Sequence, residues 1–230
     1  KLDGLDYDPQ AAYLHITANN TIFGTEYADY PSAPAGVPLI ADMSSDYLSR
    51  PLDVNKFGMI YGGAQKNIGP AGVTLVILRR DLAERSPKSL PTMLNYNTHI
   101  GKGSMFNTPP TFGIYMVKLV AEWLKKLGGL EAMARMNDEK ADLLYGEIDA
   151  DDFYRGVAAV DSRSKMNVTF NLATEELEKK FVAAATAAGL IGLKGHRSVG
   201  GCRASIYNAM PLEGVQALVS FMQDFRQANG

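Results

Sequence analysis

Two short stretches gather the residues able to do chemistry. The first is Ile60-Tyr61-Gly62-Gly63-Ala64-Gln65-Lys66-Asn67-Ile68-Gly69-Pro70-Ala71-Gly72. It lies between the apolar runs Phe57–Tyr61 and Val73–Leu78, each with the length and β-branched content of a buried strand. The glycine pair before Lys66 and Gly-Pro-Ala-Gly after it are turn signals, so this lysine is held at a strand end on a sharply bent backbone. Desolvation favours the uncharged amine of a lysine, the nucleophile that Schiff-base chemistry needs. The same pattern also describes a hairpin with a solvated lysine at its tip. The second stretch is Gly195-His196-Arg197-Ser198-Val199-Gly200-Gly201-Cys202-Arg203. Glycines let backbone approach a ligand closely, and arginine offers a planar fork for carboxylate or phosphate, so a site here would take an anion. A solvated basic turn accounts for it as well.

Upstream of the lysine, Asp42 ends the apolar run Val37–Asp42. A strand-end acid followed in the chain by a strand-end lysine suits pyridoxal phosphate: the acid pairs with the pyridinium nitrogen, and the lysine forms the Schiff base.

The elements that must position these groups read as an α/β arrangement. Ala11–Thr17 is expected to be a strand with Tyr13, His15 and Thr17 on one face, and Ala18–Gly24 a loop at its end. Strands Val37–Asp42, Phe57–Tyr61 and Val73–Leu78 are apolar enough to be buried on both faces, which calls for helical cover, part of it outside this sequence. Leu82–Met105 shows no periodicity and reads as a long loop. Asn107-Thr108-Pro109-Pro110-Thr111 is a rigid turn, with Thr111 placed to cap the helix Phe112–Leu127. That helix carries Ile114, Val117, Val120, Trp123 and Leu124 at helical spacing, and Gly128-Gly129 ends it before a second helix, Leu130–Tyr145. Methionines 133 and 136 read as core filler. Beyond Gly146, strands at Phe153–Asp161, Lys165–Leu172 and Gly200–Tyr207 alternate with helices at Glu175–Gly189 and Pro211–Asn229, the pattern of a small α/β sandwich. The domain division is placed at 1–126 and 127–230.

The motifs Gly63-Ala64-Gln65-Lys66-Asn67-Ile68-Gly69-Pro70-Ala71-Gly72, Gly103-Ser104-Met105-Phe106-Asn107-Thr108-Pro109-Pro110-Thr111 and Gly195–Ser205 resemble the phosphoserine aminotransferase family. The resemblance covers essentially the whole chain in three collinear blocks. It implies part of the large mixed-sheet domain of a pyridoxal-phosphate-dependent transferase, followed by a small C-terminal α/β sandwich domain. It also implies that roughly the first third of the usual chain is missing. With that third would go a phosphate loop and a ring-stacking aromatic, so the chain by itself is expected not to be a working transaminase. The resemblance assigns Lys66 to the cofactor and the proton transfer. It assigns Asp42, Thr21, Gln65, Asn107 and Thr108 to cofactor binding, with Asn107 and Thr108 reaching across a homodimer interface. His196 and Arg197 are implied to face a substrate phosphate, and Arg203 a carboxylate. Thr21 as a turn residue, Gln65 as a backbone partner and Arg203 in a structural ion pair remain open. The implied reaction moves an amino group from glutamate to 3-phosphohydroxypyruvate, and to a longer phosphorylated analogue on the vitamin B6 route.

Composition narrows the classes. The 230 residues allow one large or two modest domains, and 46% hydrophobic content suffices for a core. A net charge of −2 gives no sign of nucleic-acid or anionic-membrane binding. Cys202 is the single cysteine, which excludes an internal disulfide and fits a cytoplasmic location. No apolar run reaches the ~18 residues of a membrane span. No metal-ligand spacing, Ser/His/Asp order, dinucleotide motif or P-loop appears, and His15 and His99 have no partner readable from spacing. Two rivals stand beside the transaminase: a related cofactor enzyme such as a cysteine desulfurase, for which Cys202 would be the thiol, and a non-catalytic fragment.

Overall fold

The computed structural model describes residues 5–230. In chain order, strand β1 (Leu14–Thr17) leads into a two-stranded ribbon, β2 (Asn19–Asn20) and β3 (Thr25–Glu26), followed by β4 (Leu39–Asp42), β5 (Met59–Gly63) and β6 (Thr74–Leu78). Short helices α1 (Arg80–Glu84) and α2 (Tyr96–Ile100) precede the long pair α3 (Thr111–Lys126) and α4 (Gly129–Ile148). The remainder is β7 (Arg155–Gly156), β8 (Asn167–Asn171), α5 (Glu175–Ala187), β9 (Cys202–Ser205) and α6 (Leu212–Asn229). The architecture is α/β with a mixed sheet, as expected.

The main sheet has the order β1-β4-β5-β6, with β1, β4 and β5 parallel and β6 antiparallel. Its register puts Ile16, Ala41 and Ile60 in one row, all buried. That row packs with Leu39, Met43, Tyr47, Phe57 and Ile68 into a first core. The opposite face carries the row Thr17, Asp42, Tyr61, Val76. Among the described residues, Thr17 and His15 on this face are exposed, and Asp42 and Tyr61 are half-buried, the sheet's expected cover lying in part outside this sequence.

A second core lies under α4, α5 and α6 on the sheet β7-β8-β9. Phe181 is its hub, with edge-on ring contacts to Tyr154, Phe170, Phe221 and Phe225 at 5.1–5.9 Å. Thr174 caps α5, its hydroxyl accepting from the Leu177 N–H at 3.2 Å. Gly128 and Gly129 both have positive φ (105° and 81°), which gives the sharp break between α3 and α4.

Three local expectations change. Leu82–Met105 is not a featureless loop but holds α1, α2 and a 3-10 turn at Thr92–Leu94, pieces too short to show helical periodicity. Thr111 does not cap α3: it is the first helical residue, Pro110 holds the cap position, and the Thr111 hydroxyl turns back to donate to Pro109 O at 3.2 Å. Of the strand expected over Phe153–Asp161, only Arg155–Gly156 pairs, and Val160–Ser162 coils into a 3-10 turn. Among the described residues, no helix is long and apolar enough to cross a membrane.

Candidate active site

The lysine turn connects β5 to its antiparallel neighbour β6. Ala64 closes the turn by accepting from the N–H groups of Ile68 and Gly69 at 3.2 and 2.9 Å. The glycine before it has a steric reason. A Cβ on Gly63 would lie 2.3 Å from the Gln65 side-chain oxygen, so the Gln65 amide folds back over a backbone that only glycine leaves bare. Gln65 is otherwise exposed, while Lys66 is half-buried.

Lys66 Nζ donates to Thr21 Oγ1 at 2.7 Å. Thr21 opens the turn of the β2–β3 ribbon, where Asn20 Oδ1 accepts from the N–H groups of Ile22 and Phe23. The backbone carbonyl of the same Thr21 accepts from Arg203 Nη1 at 3.1 Å. One threonine therefore joins the lysine of the first core to an arginine on β9 of the second, 182 residues from it in sequence. Of the two roles open for Arg203, this bond is to a carbonyl rather than to a carboxylate.

Asp42 ends β4 beside Tyr61 and Thr17. Its Oδ1 accepts from the Ser44 N–H at 2.8 Å and the Ser44 hydroxyl at 2.6 Å. Ser44 Oγ in turn accepts from the Gly63 N–H at 3.1 Å, which ties the acid to the backbone three residues before the lysine. His15 does have a partner: Nε2 lies 3.0 Å from Tyr61 Oη on the open sheet face. The Tyr61 hydroxyl is held above its ordinary range by desolvation and by the neighbouring Asp42 carboxylate. His99 contacts Met93 O at 3.1 Å, a local structural role.

His196 and Arg197 lie in the turn before β9. The turn is tight because Gly195 is pressed against Gly200: a Cβ on Gly195 would fall 1.9 Å from the Gly200 carbonyl oxygen. His196 Nδ1 and Ser198 Oγ are 2.7 Å apart. His196 and Arg197 border a cavity of about 680 Å³ against α5, where Lys194 and Glu178 add charges of both signs. His196 also shares a cleft of about 50 Å³ with Arg203 and Ile22, next to Thr21. Asn107 and Thr108 are exposed, and Asn107 Nδ2 donates to Thr108 O at 3.2 Å; neither is hydrogen-bonded to the lysine group.

The structure thus brings Lys66, Thr21 and Arg203 together directly, and Asp42 through Ser44. His196 reaches the same neighbourhood from the far side. Arg197, Asn107 and Thr108 stand apart within one chain. Ser44 is the residue that sequence reasoning passed over; its position two after the strand-end acid is that of an Asx turn, which was the available signal. The donor set fits pyridoxal phosphate: an amine, an oriented carboxylate and a hydroxyl meet at strand ends, where α/β sheets bind ligands. Cys202, by contrast, is buried on β9 with its thiol pushed up to about 12, chiefly by desolvation, so it offers no reactive thiolate.

Comparison with known proteins gives the family. Residues 5–218 match the family model described as aminotransferase class-V, and the chain belongs to that family. Within it, the chain is 61% identical over 227 residues to a phosphoserine aminotransferase of Desulfosudis oleivorans, covering 98% of this chain and 63% of that protein. The solved phosphoserine aminotransferase from Bacillus circulans subsp. alkalophilus superimposes with a TM-score of 0.97 at 56% identity, over 100% of this chain and 64% of the other. The PLP-bound phosphoserine aminotransferase of Trichomonas vaginalis superimposes with a TM-score of 0.89 at 40% identity, over 95% of this chain and 62% of that one. The chain therefore spans somewhat under two thirds of the length of these relatives.

Proposed function

We propose that the protein bearing this chain is a pyridoxal-phosphate-dependent transaminase that moves an amino group from L-glutamate to 3-phosphohydroxypyruvate. The products are O-phospho-L-serine and 2-oxoglutarate, placing it in serine biosynthesis, with the longer phosphorylated analogue of the pyridoxine route as a second substrate. We place it in the cytoplasm as a homodimer with a shared active site. Bound pyridoxal phosphate supplies an electron sink for the substrate α-carbon. Lys66 binds the cofactor through Nζ and afterwards carries the proton to and from the substrate carbon. Thr21 Oγ1 accepts from that amine at 2.7 Å. Asp42, oriented by two donors from Ser44, is the carboxylate that would pair with the ring nitrogen of the bound cofactor. Arg203, His196 and Arg197 present cationic or hydrogen-bonding groups to the substrate carboxylate and phosphate, and Gln65, Asn107 and Thr108 to the cofactor phosphate, the last two from the neighbouring subunit.

The observation that carries this reading is the Lys66–Thr21 bond beside an oriented Asp42 at adjacent strand ends. The test is borohydride reduction of the full protein with pyridoxal phosphate, followed by peptide mapping. The cofactor mass is expected on the Lys66 peptide and nowhere in Lys66→Ala; finding it on Lys56 or Lys102 would refute the assignment.

A further inference from the structure

Three consecutive backbone carbonyls, those of Tyr47, Leu48 and Ser49, each accept from the side-chain amide of a different asparagine. Asn67 Nδ2 donates to Tyr47 O at 2.7 Å, Asn208 Nδ2 to Leu48 O at 2.9 Å and Asn137 Nδ2 to Ser49 O at 3.0 Å. The asparagines also bond to one another. The Asn208 N–H donates to Asn67 Oδ1 at 2.9 Å, and Asn137 Nδ2 donates to Asn208 Oδ1 at 2.9 Å. All three are buried, at 7%, 2% and 2% exposure for Asn67, Asn137 and Asn208. They come from three separate places: the lysine turn, helix α4 and the segment just after β9.

We propose that Asn67, Asn137 and Asn208 form a clasp that positions the Lys66 turn, and we rest this on the reading of Lys66 as the reactive amine. Among the described residues Lys66 has one side-chain hydrogen bond, to Thr21, so the direction of its amine depends on the backbone that carries it. Asn67 is the next residue on that backbone, and it is held from two sides. One side is the turn after β4, which also contains Ser44, the partner of Asp42. In that turn Leu48 has a φ of 57°, a left-handed conformation costly for a branched residue, which persists where surrounding contacts hold it. The other side is the Asn208 segment, anchored to α4 because the buried Lys140 ammonium donates to Ile206 O and Tyr207 O at 3.0 and 2.8 Å. The clasp therefore fixes the lysine, the acid and the Arg203-bearing strand in one relative geometry. A buried polar network with this many mutual bonds specifies a single arrangement where apolar packing would tolerate several.

The test compares Asn67→Ala and Asn208→Ala with Phe181→Leu, a change in the second core that leaves the clasp untouched, all in the full protein. The first readout needs no cofactor: after hydroxylamine treatment to strip bound aldehyde, acetic anhydride labelling of Lys66 is quantified by peptide mass spectrometry relative to the exposed Lys118. Freed from its seat, Lys66 is expected to label about tenfold faster in Asn67→Ala, the size set by one buried hydrogen bond. The second readout is the split of kinetic constants: kcat falls about tenfold while KM for glutamate stays within about twofold. If Asn67→Ala does not fold, Asn208→Ala, which keeps its own N–H bond to Asn67, is expected to show the same direction at smaller size. Labelling unchanged in every folded clasp variant overturns the proposal. So does an equal acceleration in Phe181→Leu at matched loss of melting temperature, or a loss confined to KM. If labelling accelerates as expected but borohydride never places pyridoxal phosphate on wild-type Lys66, the clasp stands and the transaminase reading fails.

Discussion

The two cores differ in how far they are closed. The second is sealed by its own chain: the β7-β8-β9 sheet, three helices and the ring cluster around Phe181 leave Val168, Phe170, Phe181 and Met222 with no exposed surface. The first is covered by the described residues on one side. Ile16, Ala41 and Ile60 are covered, yet His15 and Thr17 face outward on the other side of the sheet. Among the described residues, both outer strands of that sheet, β1 and β6, lack a second neighbour. Helix α3 repeats the contrast, with Leu124 buried but Phe112 73% and Tyr115 53% exposed. The groups with chemical potential sit on the open region and on the seam, not in the closed core. What the two regions share is the seam, where Thr21 bonds to both Lys66 and Arg203 and so holds an amine from one body against an arginine from the other.

Three changes test that contrast, from the largest expected effect down. Phe181→Ala removes the hub of the closed core and should cost about 3–5 kcal/mol in urea unfolding, the range for a buried aromatic that leaves a cavity. A loss under about 1 kcal/mol would mean the second core is less tightly packed than its ring contacts indicate.

Asp46 gives an intermediate, pH-dependent effect at the seam. It is buried, and desolvation followed by repulsion from Glu26 raises its carboxyl from 3.8 to about 7, with Arg50 opposing. The folded state holds this proton more tightly than the unfolded chain, so the associated stability is present below 3.8 and lost as pH rises through about 7. Asp46→Asn removes the titration with little change of shape. The variant's melting temperature is expected to exceed that of the wild type at pH 8, with the difference shrinking towards pH 5. A difference that stays constant over this range would place the Asp46 carboxyl near its ordinary value and its burial in doubt.

The smallest effect is expected on the exposed face of α3. Phe112→Ser in the chain 1–230 should change stability by less than about 0.5 kcal/mol, as for surface positions without partners. A larger loss would show that this face is covered in solution and would narrow the difference between the two regions.

Much of this was legible in the chain itself. The apolar runs before Asp42 and around Lys66 are too β-branched and too short for helices, and they became β4, β5 and β6 within a residue or two of their expected limits. Gly128-Gly129 and Thr174 fixed a helix break and a helix start because each acts through local backbone geometry. Glycine before Lys66 and at Gly195 marked the two places where backbone must bend closely, and both candidate sites lie there. What only tertiary structure decided is partnership. Periodicity reports which face of a strand is apolar, but it does not say that β6 runs antiparallel to β5. Nor could spacing reveal that Thr21 joins Lys66 to Arg203, or that Asn67, Asn137 and Asn208 converge on three successive carbonyls. Asparagine carries no periodic signature, and its bonds are satisfied by whatever the fold brings near. Those contacts exist because two cores close against each other, and the polar groups trapped between them must find partners in one another.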